Sequence, residues 1–455
     1  MITRVNRILT VLFSVAVVLA VFAGCGGSST PAAPAPDSAP AAQDGAPAEA
    51  PAAPSGETIN LELWHIQMDG DFPNIIQRSV DRYMEANPQY NVEVVPTAND
   101  AYKQKLAVAM GANQMPDIYI SWSGGPMIEY IKAGHMQPIT SQINSSGLKD
   151  KLLDAGVAQA TYSGDIWGVP VENVAAAVVY YNKAIYEELG LSVPATISEL
   201  EANADAIIAA GKTPFSLANS TQWTGSMYYM YFATRHGGLQ PFQDAATGEG
   251  TFESDTFVYA GDKIQEWVGK NYFNVGFNGI DEDSGQSRQL LYADQAVMHV
   301  MGSWFLSNVL GENPEFYEKI GIFPFPAVDG SSADPTAVVG TVGDNFYHVS
   351  GSCADVDGAF GVIAALLDDQ AIAERTANGR IVPIKGAVVE DPLLKVIMGV
   401  VENASGTQLW YDQYLPPEVA DMHKTTSQEI FGGTMTPQDA NTRMQETMAA
   451  YLARS

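Results

Sequence analysis

Ile59-Asn60-Leu61-Glu62-Leu63-Trp64 alternates apolar and polar side chains with period two, the pattern of a strand with one buried face. After this strand Pro73 suits the first turn of a helix, with Ile75, Ile76, Val80, Tyr83 and Met84 on one apolar face. Asn87-Pro88 breaks that helix, and Tyr90 to Val95 reads as a second strand. Asn99-Asp100 is placed to cap a helix that carries Leu106, Val108 and Met110 and stops at Gly111. Ile118-Tyr119-Ile120 is a third strand, followed by Gly124-Gly125 and a helix through Ile131. Strands alternating with helices predict an α/β fold with a parallel sheet. Ligands of such sheets bind beyond the carboxyl ends of the strands. Those ends are Trp64-His65, Pro96 to Asp100, and Ser121-Trp122-Ser123.

A second unit begins near Gly168-Val169-Pro170. Val178 to Lys183 reads as a strand running into a helix. Thr196 and Glu199 have the spacing of a capping box, ahead of an apolar stripe of Ile197, Leu200, Ala204, Ile207 and Ile208 that Gly211 ends. Thr436-Pro437 starts a last helix whose stripe is Ala440, Met444, Met448 and Leu452. These stripes are core. About 400 residues follow Gly56, enough for two sizeable domains.

The amino-terminal side is of another kind. Arg4 and Arg7 precede an apolar run from Ile8 to Ala23, then Gly24 and Cys25. A charged segment, an apolar segment and small residues make a secretory signal. A Cys in that place resembles the bacterial lipoprotein signal, in which the Cys carries lipid and becomes the new amino terminus; Phe22 stands where Leu is usual. The run is shorter than the ~20 residues of a spanning helix. Residues 1–24 are therefore expected to be a signal peptide. Residues 25–56 are expected to be a lipidated Cys25 and a linker, since Gly26 to Gly56 holds 11 Ala and 7 Pro among 31 residues and has little to bury. Two or more acyl chains anchor a protein stably.

The chain carries a net charge of −29, and loss of residues 1–24 leaves 21 basic against 52 acidic residues, a net −31. That excess argues against nucleic acid or an anionic membrane surface as a partner. Beyond Cys25 the chain has only Cys353, so no disulfide framework or Cys-based metal site is expected. Cys353 reads as a small core residue.

One ordered set of motifs carries a resemblance. Gly164-Asp165-Ile166-Trp167-Gly168-Val169-Pro170, Tyr180-Tyr181-Asn182-Lys183, Gly190-Leu191 and Pro194-Ala195-Thr196-Ile197-Ser198-Glu199-Leu200 come first. Tyr292 to Met298, Gly302-Ser303-Trp304, Phe323-Pro324-Phe325-Pro326 and Thr434 to Ala440 follow. In this order they resemble the extracellular solute-binding proteins of carbohydrate ABC importers, the maltose-binding-like family 1; Ile197 stands where Trp is usual. The resemblance implies a type II periplasmic-binding-protein-like fold, two lobes joined by crossing hinge segments. By the family's layout, 57–171 and 304–368 form the first lobe and 172–303 and 369–455 the second. Crossings fall near Pro170 to Asn173, Gly302 to Trp304, and Leu366 to Gln370. It also implies a monomer, lipid-anchored outside the cell membrane, that takes an oligosaccharide, passes it to the ABC permease subunits, and uses no cofactor or metal.

Sugar chemistry then selects candidates. A pyranose has apolar faces and a hydroxyl rim, so it needs aromatic platforms beside fixed donors and acceptors. Trp64 and Trp122 end strands, Trp223 follows the polar loop Ala218 to Gln222, Trp304 sits at an expected crossing, and Trp410 precedes Tyr411-Asp412. Trp167 and Trp267 read as core. Polar candidates are His65 and Asp69 after the first strand, Ser121 beside Trp122, and Glu172 and Asn173 at the first crossing. Asp344 and Asn345 in Gly343-Asp344-Asn345-Phe346, and Arg380 before Ile381-Val382-Pro383, complete the set. Platforms strung along both lobes imply a neutral oligosaccharide of two or more units.

Catalytic motifs are missing: the chain has no H-E-x-x-H, C-x-x-C or G-x-S-x-G. Gly211-Lys212-Thr213 lacks the first Gly of a phosphate loop, and Asp281 to Gly285 lacks the last Glu of a calcium loop, Tyr292 standing there. Because the ordered motifs resemble a binding family, the chain is expected not to be an enzyme. Two alternatives are a glycoside hydrolase with two carboxylates hidden among 52 acids, and a surface receptor that only senses sugar.

Overall fold

The structure is a computed structural model that describes residues 58–454; Cys25, the signal and most of the linker lie outside them. Its side chains bury themselves in two hydrophobic cores.

The first core covers a mixed sheet. Ile59–His65 lies between Tyr90–Pro96 and Ile118–Ser121, parallel to both. Leu61 and Leu63 point into the core, as the alternation requires. The strand Phe346–Ser350, from far down the chain, adds antiparallel to Ile118–Ser121 and pairs with Met136–Gln137 and Val169–Pro170. The sheet is therefore not purely parallel. Helix Phe72–Ala86 buries Ile75, Ile76 and Val80. Helix Asn99–Ala112 buries Leu106 and Met110, but its amino-terminal cap residue is Ala98, not Asn99, and Val108 points outward, 72% exposed.

The second core covers a four-stranded sheet in the order Thr213–Phe215, Ala296–Met301, Val178–Asn182, Ile320–Phe323. Helices Trp223–Gly237, Asp255–Gly269, Pro417–Phe431 and Pro437–Leu452 pack together on it. Helix Ile197–Ala209 starts where expected: the Thr196 hydroxyl accepts from the Glu199 amide at 3.3 Å, and the Glu199 carboxylate accepts from the Ala195 amide at 2.7 Å. A small sheet between the cores pairs Val338–Gly343 antiparallel with Asn173–Ala176 and parallel with Thr407–Gln408.

Core membership places the crossings. At the first, Val171 packs in the first core and Val174 in the second. The other two need correction. Phe305, Leu306 and Val309 stay in the second core, because the strands on either side of them, Ala296–Met301 and Ile320–Phe323, both pair with Val178–Asn182. The chain returns to the first core only between Val339 and Phe346, so 304–338 belongs to the second lobe. Helix Asp369–Ala377 in turn remains with the first lobe, held by Arg82 to Asp368 at 2.7 Å and Arg78 to Glu374 at 2.8 Å. The third crossing lies between Ile381 and Val389: Ile381 packs in the second core, Val382 and Ile384 against the first, and Val389 is back in the second.

Candidate functional site

A cavity of about 160 Å3 lies where the lobes face each other. Three tryptophans of the second lobe stand on its wall. Trp304 is the middle one, its ring centroid 6.0 Å from Trp223 and 5.9 Å from Trp410, with interplanar angles of 62° and 63°. Edge-to-face contacts of this kind are favoured by the ring quadrupoles.

Local structure holds each ring. Trp223 opens a helix behind a loop in which the Asn219 carboxamide accepts from the Gly225 amide at 3.0 Å and Thr224 donates to the Ala218 carbonyl at 2.6 Å. Trp304 follows Gly302 and folds back over it: a Cβ on Gly302 would lie 2.1 Å from the indole. Its neighbour Ser303 donates to the Val174 carbonyl at 2.9 Å and accepts from Asn173 at 2.7 Å. Trp410 sits between Thr407–Gln408 and the short helix Tyr411–Tyr414. The indole N–H groups of Trp223 and Trp410 are buried and have no partner among the described residues.

Polar groups come from the crossings. Asp344 occupies the bend between Val338–Gly343 and Phe346–Ser350 with a positive φ of 50°, uncommon outside glycine. Among the described residues none donates a hydrogen bond to its carboxylate. Burial pushes its pKa up to about 7; Arg380 opposes the rise, and the charges of Glu172 and Asp412 add to it. Arg380 donates to Gln67 at 3.3 Å, and Gln67 donates to Asn345 at 2.8 Å. The Arg380 guanidinium lies 4.5 Å from the Phe72 ring centre, and its Nε has no partner among the described residues. Also on the first lobe, Lys103 stands 5.0 Å over the Trp122 ring. Arg288 is held by Glu282 and, at 2.7 Å, by Glu312.

Of the residues the sequence predicts for the site, Asp69, Trp122, Trp223, Trp304, Asp344, Asn345, Arg380 and Trp410 line the cavity. Five do not. Trp64 packs in the first core, donates to Glu62 at 2.6 Å and carries Lys105 over its ring at 3.5 Å. His65 is fully buried, its Nδ1 accepts from the Gln67 amide at 3.1 Å, and burial lowers its pKa to about 4, so it is a neutral core histidine. Ser121 is buried in its strand. Glu172 is ion-paired with Arg375 at 3.4 Å and accepts from Tyr347 at 2.6 Å. Asn173 ties the first crossing to the third by accepting from the Ile381 amide at 2.9 Å. Met227, Asn308, Lys103 and Asp412 also line the cavity. The first three had a signal in the sequence: each lies four residues after Trp223, Trp304 or Asn99, hence on the same helix face.

The chain thus forms two lobes with a cleft between them and crossings that join them. The family model of bacterial extracellular solute-binding proteins matches residues 69–372, more than half of the chain, and the chain belongs to that family. A solved chain from work on xylan utilization by the thermophilic bacterium Caldanaerobius polysaccharolyticus is similar at 30% identity and TM-score 0.78, over 85% of this chain and 99% of that one. A chitin oligosaccharide binding protein superposes with TM-score 0.81 at 23% identity, over 88% and 100% of the two chains. The fold is that of type II periplasmic solute-binding proteins. The multiple sugar-binding protein of Streptococcus mutans is 29% identical over 59% of this chain. The match spans 63% of that relative and 60% of an ABC transporter extracellular-binding protein of Pyrococcus horikoshii, about three fifths of each.

Proposed function

We propose that this chain is the extracytoplasmic substrate-binding protein of an ABC importer, that it closes its lobes on a neutral oligosaccharide and hands it to the permease, and that it is not an enzyme. The observation that carries this reading is the wall of Trp223, Trp304 and Trp410 beside unpartnered donors on Trp223, Trp410 and Arg380 and an unpartnered acceptor on Asp344. Stacking faces next to open hydrogen-bonding groups are what a polyhydroxylated ring needs. Trp122 on the first lobe supplies a further face, which favours a ligand of two or more sugar units. The family, the sugar-binding relative and the fold likeness support the same class. Lipid on Cys25 would keep the protein at the membrane where its permease lies.

A thermal-shift screen against a panel of neutral oligosaccharides tests the reading. Stabilisation by one class of glycan, with the glycan recovered unchanged, supports it. A response to amino acids, polyamines or metals and to no carbohydrate overturns it, and hydrolysed glycan restores the glycoside hydrolase alternative.

A further inference from the structure

Beside the cavity, the two lobes touch through backbone. Helix Gly125–Lys132 of the first lobe begins right after Trp122, and the segment Gln413 to Pro416 of the second lobe follows Asp412; Trp122, Asp412 and Gln413 all line the cleft. A Cβ on Gly125 would lie 2.1 Å from the Leu415 carbonyl oxygen and 2.7 Å from the Pro416 nitrogen. No side chain fits there while the lobes are together. Within its own lobe Gly125 has no such need: its φ is not positive, and alanine is the better helix residue.

A second contact lies on another wall of the cleft. Helix Asn99–Ala112 has Ala98 at its cap position, a residue that offers no side-chain acceptor. The amide of Asp100 instead donates to the carboxylate of Asp283, 3.1 Å away on the opposite lobe. An acid from the second lobe does for this helix what a Ser or Asp cap would do from within it.

We propose that Gly125 and Asp283 are closure-positioning residues: the missing side chain at Gly125 lets the lobes meet backbone to backbone, and Asp283 caps a first-lobe helix only when they have met. The inference rests on the ligand-capture reading above. Both contacts hold the ligand in without depending on its identity.

The test uses the full chain with Cys25→Ser, spin-labelled at Val108→Cys on the first lobe and Val275→Cys on the second, both strongly exposed, while Cys353 is buried. Distances between labels are measured without ligand and with the glycan that the panel identifies. Gly125→Ala is expected to weaken glycan binding by about tenfold to a hundredfold, the scale of a forced overpacking, through faster dissociation. The label distance should stay long with ligand present, and the ligand-free melting temperature should be unchanged or higher. Asp283→Ala should weaken binding by about two- to thirtyfold, the scale of a lost cap, and lower the closed population in the same way. Wild-type affinity and wild-type distances in both variants overturn the proposal. So does a loss of affinity in Gly125→Ala that comes with an equal fall in ligand-free stability. If no glycan binds the wild type, the sugar reading falls, and the ligand-free distances still decide: a smaller closed fraction in Gly125→Ala supports the closure role, and equal fractions end it.

Discussion

Glu172 and Arg375 form a fully buried ion pair, Oε2 to Nε at 3.4 Å, next to the first crossing between the lobes. Tyr347 donates to the other carboxylate oxygen, and Arg375 also donates to the Leu366 carbonyl at 2.7 Å. Burial by itself would raise the Glu172 pKa, but Arg375, Tyr347 and Arg380 together hold it below the ordinary carboxylate value. The pair joins the start of the crossing to helix Asp369–Ala377, and so fixes the hinge root to the first lobe.

Glu172→Ala leaves Arg375 buried and unpaired, and we expect it to cost about 3–5 kcal/mol of stability. Urea unfolding of the ligand-free protein checks this. The pH dependence follows from the sign of the shift. A carboxylate with a lowered folded pKa stabilises the protein above its unfolded pKa of about 4.3, and that contribution fades as pH falls through the lower folded value. Wild type should lose stability below about pH 4.5 more steeply than Glu172→Ala does.

Trp304 stands between Trp223 and Trp410, so its removal breaks the wall in the middle. Trp304→Ala should cost about 2–4 kcal/mol of glycan binding, the range of a buried anchor. That is roughly thirtyfold to several hundredfold in affinity. Calorimetric titration beside melting curves is the measurement. A fall in melting temperature with unchanged affinity of the folded fraction would make Trp304 a core residue only.

Asp344, with its pKa pushed up to about 7, makes binding pH-dependent. Ligand hydroxyls donate to the ionised form, so binding should tighten as pH rises through 7 and release a proton in that window. Stability of the ligand-free protein should move the other way. The folded state holds its proton between the unfolded pKa of about 3.9 and the folded value, so stability falls as pH rises across that interval. Asp344→Asn should flatten both curves and raise the ligand-free melting temperature at pH 8. Titrations at several pH values, with melting curves, check both signs.

Processing at Cys25 gives a prediction independent of the cleft. Intact-mass analysis of membrane-extracted protein should show loss of residues 1–24 and added acyl mass. Cys25→Ala should release the protein from the membrane fraction, and unchanged membrane retention would count against a lipid on this residue.

Local structure was legible in the sequence because it depends on near neighbours. Period-two alternation marked Ile59–His65, Pro437 marked the start of Pro437–Leu452, and Thr196 with Glu199 marked the start of Ile197–Ala209. Cys353 is buried as its apolar setting implied. Trp223 after its polar loop and Trp410 before an acid stand out from their near neighbours, whereas Trp304 is expected from a crossing that the fold places elsewhere; all three line the cavity. What only the tertiary structure decided was direction and membership. His65 ends the first strand and Asp69 lies four residues further on, yet one is buried and the other faces the cleft. Glu172 looked like a ligand contact until Arg375, far along the chain, turned it into a hinge-root ion pair. The second crossing shifted from Trp304 to the stretch after Val339 because strand partners chosen at long range hold 304–338 in the second sheet. A pattern along the chain specifies which face is apolar; only the partner that covers that face decides which polar groups are left looking into the cleft.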